Sequence, residues 1–225
     1  METAHRLPRF FVAWWTLATV LGLLVFPVGS VVIGGRGLES PPLVLAGAGV
    51  AGFLSSLLFL GPAQAITLRS FGARVSIGRW IGWTLGGWIV GYLAGLLLGT
   101  LVFVTALIGA TRLFPDLFLV TWFVAIALAG GIGGGLFGLS LTTFQAFEFA
   151  GVTNNGLWRW RLGGVLGWAP FGAVYGMDLS YSAMVGLHDD VVPAWGVVLA
   201  VLLFVVAFAS PGLVTGLALK RIVEA

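Results

Sequence analysis

The sequence contains no cysteine, which excludes disulfides, thiolate nucleophiles and Cys-ligated zinc or iron–sulfur centres and leaves the redox compartment undetermined. Histidine is scarce as well. Only His5 and His188 occur, both outside the long apolar runs, so an intramembrane His-ligated haem, a Ser-His pair within those runs and a His-rich metal site are excluded. No cofactor is predicted, and a bound lipid or pigment is left open. Charge is the third scarcity: Asp, Glu, Lys and Arg make up 8% of the 225 residues, against about 25% in soluble domains. The net charge of +3 is too small and too scattered to mark a nucleic-acid partner.

What is abundant is apolar, glycine and tryptophan. With 59% hydrophobic residues, 35 Gly and 10 Trp, the chain belongs in a lipid bilayer. Apolar runs long enough to cross it, about 20 residues each, fall at 10–33, 43–66, 80–110, 117–147, 158–180 and 194–219. Turn-forming segments separate them, such as GGRGLESPP, TRLFPD and GVTNNG. The third and fourth runs are too long for one upright crossing and too short for two, so they are expected to tilt or protrude. The fold class predicted is an all-α integral membrane protein of six transmembrane helices in a single domain.

Basic residues give this arrangement a direction. On one side of the six-span plan lie nine of them: Arg6, Arg9, Arg69, Arg74, Arg79, Arg159, Arg161, Lys220 and Arg221. The other side has Arg36 and Arg112. Short cytoplasmic loops collect Lys and Arg, so both termini are expected in the cytoplasm.

A short phrase occurs twice. RWIGWTLGGW at 79–88 and RWRLGGVLGW at 159–168 share Arg-Trp, then seven residues, then Trp preceded by Gly. Each phrase follows a Gln, Gln64 or Gln145, and Thr215 takes the corresponding place in the last run, followed by Lys220 where the second has Arg69. The first run contains Trp15-Thr16-Leu17, an echo of Trp83-Thr84-Leu85. The chain therefore reads as three tandem helical hairpins, about 10–66, 80–147 and 158–219, in one orientation, which implies a pseudo-threefold axis along the membrane normal.

Between helices in lipid, close backbone approach is the main attraction and favours Gly. Gly87, Gly91, Gly95 and Gly99 recur every fourth residue in the third run, and Gly130, Gly134 and Gly138 do so in the fourth, so these are expected to be helix-packing faces. Gln64, Gln145 and Thr215 are candidate helix contacts or a ligand constriction, since an amide near the bilayer needs partners. Arg79, Trp80, Trp83, Arg159, Trp160 and Arg161 are candidates for the lipid interface, as aromatic belt or headgroup contacts. Glu148 is expected to pair with Arg159 or Arg161 across a short loop, with a buried proton-coupling role as the alternative. Asp178, with Ser180, Tyr181 and Ser182, is expected to cap an outer loop or line a vestibule, in a segment that dips back into the interface beyond a helix kinked at Pro170. Ser140 has no base near it in the sequence, and GGIGGG lies within an apolar run with no preceding strand, so neither suggests catalysis.

The pattern Gln, Leu-Arg, Arg-Trp, Gly-Trp over 61–88, and its looser copy over 141–168 where Glu148 and Phe149 replace Leu-Arg, resembles that of multi-pass bacterial membrane proteins of no assigned activity. The resemblance implies a bacterial inner-membrane location and nothing about chemistry. The expected function is that of a non-enzymatic inner-membrane protein, an accessory or scaffold subunit whose partners are the bilayer and other membrane subunits. The alternatives are a small channel or carrier for an apolar or weakly polar solute and a lipid-binding protein.

Overall fold

The computed structural model describes residues 8, 10–34, 58–71, 73, 75–149, 154–185 and 194–223, and of these the backbone alone for 24–34, 154–155, 178–185, 194–197, 199–200 and 223. Among the described residues all regular structure is helical. The helices are α1 (Phe11–Gly34), α2 (described over 58–70), α3 (Ile77–Leu113), α4 (Phe118–Gln145), α5 (Asn154–Val185) and α6 (Ala194–Val223). Two 3-10 turns, Pro115–Leu117 and Ala146–Glu148, flank α4. Among the described residues, three stretches are long and apolar enough to cross a membrane: Ile77–Leu113, Pro115–Glu148 and Val201–Ile222. Their outward side chains are Leu, Val, Ile and Phe, as contact with lipid requires.

The ends of α3 follow from local chemistry. Ser76 has extended backbone and stands as the N-cap, and its own N–H donates to Glu148 Oε1 at 2.9 Å. At the far end Phe114 leaves helical geometry before Pro115, a residue that disfavours helix in its predecessor. Proline is tolerated inside α5 at Pro170 and inside α6 at Pro211. Pro211 has no N–H for the carbonyl of Ala207, and Ser210 Oγ donates to that carbonyl at 2.9 Å instead. Helix α5 continues through Val185, so the residues from Met177 to Val185 extend the helix where an interfacial dip was expected. The side chain of Asp178 lies outside the described residues, as do the first half of the predicted 43–66 run and the loop with His188.

Consecutive helices are antiparallel neighbours, and glycine sets how near they come. Along α3, an added Cβ at Gly87, Gly91, Gly95 or Gly99 would strike Leu141, Phe137, Gly133 or Ala129 of α4 in turn, the first at 2.7 Å from backbone. The opposite face of α4 uses Gly130, Gly134 and Gly138, whose added Cβ atoms would run into the backbone of Gly172, Trp168 and Gly164 on α5. Further on, Gly167 meets Pro211 of α6, Gly212 meets Thr16 of α1, Gly22 meets Leu60 of α2, and Gly61 packs against Ile81 of α3. The chain of contacts closes on itself, with α1, α3 and α5 parallel to one another and α2, α4 and α6 antiparallel to them.

Candidate functional site: a buried polar layer between aromatic layers

Closing the ring brings three tryptophans together. Trp15, Trp80 and Trp160 are 0% exposed. The ring of Trp15 lies 6.3 Å from that of Trp80 and 6.2 Å from that of Trp160, both edge-on. Phe149 completes the cluster at 5.7 Å from each of Trp80 and Trp160, and Phe11, Leu68 and Leu219 pack around it. Trp80 and Trp160 were expected at the lipid interface, and the structure corrects this. The helices present Arg79 and Arg159 outward, so the next residue on each, about 100° round the helix, turns in. Trp158 is exposed, whereas Trp83 lies on the flank of α3 against Phe147 at 5.0 Å.

One turn further along each of α1 and α3 comes a threonine. Thr19 and Thr84 are buried with Gln64, Gln145 and Thr215 in a single polar layer. Gln145 Nε2 donates to Gln64 Oε1 at 3.0 Å and to Thr84 Oγ1 at 3.1 Å. Gln64 Nε2 donates to Thr19 Oγ1 at 3.3 Å, and Trp15 Nε1 donates to Thr215 Oγ1 at 2.9 Å. Helix α5 has Gly164 at this level. A Cβ there would lie 2.5 Å from Thr142 Oγ1, so α5 approaches α4 more closely than a threonine would allow. Another turn on, Leu23, Trp88 and Trp168 join Leu60, Leu141 and Phe208 in a second apolar layer.

These positions define a register that sequence reasoning misplaced. Thr16, aligned with Thr84 by the Trp-Thr-Leu echo, donates to its own helix at Val12 O, 2.8 Å. The residue that shares the layer with Thr84 is Thr19, because Trp15 stands beside Trp80 and not beside Trp83. Thr19 has no place in the sequence pattern, and Thr84 enters it only through the Trp-Thr-Leu echo, not as a polar contact. The signal that could have found them is Trp followed four residues later by Thr, which both helices carry.

Glu148 is also corrected. Its carboxylate, with 2% of the side chain exposed, sits 3.2 Å from Arg79 and not from Arg159 or Arg161. The antiparallel pairing of α3 with α4 brings the start of α3 to the end of α4, and there Glu148 accepts the Ser76 N–H and the Arg79 guanidinium together. Arg159 is exposed and Arg161 half-buried. At this end of the bundle, Trp80 Nε1, Trp160 Nε1 and Arg161 Nε are buried without an acceptor among the described residues.

Beyond the second apolar layer the bundle opens into a cavity of about 330 Å³, floored by Trp88 and Trp168 and walled by Gly91, Gly95, Gly134 and Phe137. Compared with known proteins, the chain matches no protein family, no curated sequence and no solved structure.

Proposed function

We propose that this protein is a non-enzymatic component of the bacterial inner membrane that serves as an accessory or scaffold subunit of a larger membrane complex. In this reading it crosses the bilayer six times as three tandem hairpins, about 10–66, 80–147 and 158–219, around a pseudo-threefold axis, with both termini in the cytoplasm. The observation that carries it is the closed centre of the bundle. The amides of Gln64 and Gln145 are occupied by each other and by Thr84 and Thr19, between two layers of buried aromatic and aliphatic side chains. A transporter normally needs ionisable groups or broken helices within the membrane, and in this layer the amides and hydroxyls bond one another instead. The nine-to-two distribution of basic residues supports the orientation.

The test is twofold. Photoreactive residues placed at the outward positions Leu97 and Val205, both exposed, should trap a protein of defined mass in native membranes, and reconstituted vesicles should show no solute flux above empty ones. A protein that runs alone, traps only lipid and conducts a solute whose flux falls in Gln64→Ala plus Gln145→Ala overturns the proposal. That outcome would establish the second reading, a carrier with Gln64, Gln145 and Thr215 as constriction, which the apolar cavity above the layer favours.

A further inference from the structure

The three arginines that the sequence offers to the lipid interface are not equivalent once the helices close. Arg79 is held by Glu148 at 3.2 Å. Arg159 and Arg161 stand on either side of the buried Trp160, each about 100° round α5 from it. Arg159 is exposed, whereas Arg161 is half-buried and its Nε has no acceptor among the described residues. The terminal nitrogens of Arg161 are neither buried nor hydrogen-bonded among those residues.

Among the described residues nothing neutralises Arg161. Val165, one turn on and on the same face, meets α4 at Gly135, where an added Cβ would lie 3.4 Å from its Cγ1, so this face of α5 borders α4. Helix α6 packs on the other flank of α5, at Gly163 against Ala218. Glu148, the nearest carboxylate along the chain, is taken by Arg79 and the Ser76 N–H. The residues between it and Arg161, FAGVTNNGLWRW at 149–160, include no acid. A guanidinium at the edge of a bilayer is costly without a counter-charge, and here the protein beside it supplies none.

Outward of Arg161 the surface is apolar. Trp158, one turn before it, and Leu162 and Leu166 beyond are all exposed and fall every fourth residue, with the indole toward the helix start and the leucines leading into the span. A planar fork that matches phosphate, at the head of such a stripe, has the layout of a phospholipid, charged at one end and apolar along the rest. A soluble anion makes no use of the stripe. Arg69, Arg79, Arg159, Lys220 and Arg221 share this end of the bundle, and basic clusters at a membrane surface gather anionic lipids. The geometry points to a headgroup site: the phosphodiester of an anionic phospholipid, in the leaflet at the Arg-rich end, accepts from the terminal nitrogens of Arg161 beside Trp158, and a tail follows Leu162 and Leu166. The site rests on the chain spanning a membrane and stands whether the protein is a subunit or a carrier.

The test uses the whole chain, without partners, reconstituted in equal phosphatidylglycerol and phosphatidylcholine and released into mild detergent, with the lipids retained counted by native mass spectrometry. Phosphatidylglycerol should be retained in preference. Arg161→Gln should lower that retention about tenfold, the effect of one charge-assisted contact, whereas Arg159→Gln should change it less than twofold. Should Arg161→Gln fail to fold, Arg161→Lys, which keeps the charge and loses the fork, should lower retention about threefold and Arg159→Lys should leave it unchanged. Equal retention of the two lipids overturns the proposal, and so do equal effects of the substitutions at 159 and 161, which mark diffuse surface charge. Displacement of the lipid by millimolar inorganic phosphate assigns the fork to a soluble anion and overturns it as well.

Discussion

Replacing Gln145 with methionine, similar in length and unbranched, tests the polar layer directly. The substitution removes two hydrogen bonds, to Gln64 at 3.0 Å and to Thr84 at 3.1 Å. Interhelical hydrogen bonds within membrane proteins average about 0.6 kcal/mol and reach about 1.7. Stranding the Gln64 carbonyl adds about 1–3 kcal/mol, partly offset by the apolar gain of the methionine side chain. A net loss of about 2 kcal/mol is expected, roughly thirty-fold in the folding equilibrium. Gln64→Met should cost a similar amount. The double variant should cost less than the sum of the singles by about 1 kcal/mol, because no amide is then left stranded and the two threonines can turn to their own helix carbonyls. Unfolding by dodecyl sulfate titration in bicelles, followed by tryptophan fluorescence, measures all three. Additivity of the two substitutions, within about 0.5 kcal/mol, would refute direct pairing of the amides, and so would a neutral Gln145→Met.

The same titration checks three further expectations. Gly134→Ala should destabilise by about 1–3 kcal/mol, since the new Cβ meets the Trp168 carbonyl and the Gly172 backbone, whereas Gly109→Ala, with nothing within 4 Å, should be neutral or stabilising by up to about 1 kcal/mol. Trp15→Phe should cost about 1 kcal/mol more than Trp160→Phe, because Trp15 donates to Thr215 and Trp160 has no acceptor. Glu148→Gln should cost at most about 1 kcal/mol, less still at high salt, because Arg79 is 72% exposed. Glu148→Ala should cost more, since the Ser76 N–H also loses its acceptor.

Much of this architecture is legible in the sequence, for physical reasons that differ by feature. A glycine every fourth residue from Gly87 to Gly99 leaves one bare stripe on a helix, and in an apolar chain such a stripe has one use, close approach to another helix. The repeated phrase pointed to Gln64 and Gln145 because an amide in an apolar run needs a partner. The burial of Trp80 and Trp160 was not legible from the belt rule. That rule follows residue type and depth along the span, whereas burial depends on the helix face, which only the closed ring decides. The partner of Glu148 was misjudged because nearness in sequence favoured Arg159, while antiparallel pairing delivers Arg79 from 69 residues earlier. The interhelical roles of Thr19 and Thr84 were not legible, since threonine in a membrane helix usually bonds its own backbone, as Thr16 and Thr142 do here.

The central claim is that the antiparallel helices cross the bilayer with the Trp15–Trp80–Trp160 end and its arginines in the cytoplasm. The absence of native cysteine allows single-thiol variants without background, at exposed Ser76 beside the start of α3 and at exposed Asp116 in the turn between α3 and α4. A membrane-impermeant maleimide applied to intact spheroplasts should label Asp116→Cys fully and Ser76→Cys only after the membrane is permeabilised. Labelling of both sites from one side, or of Ser76→Cys alone, would contradict the account.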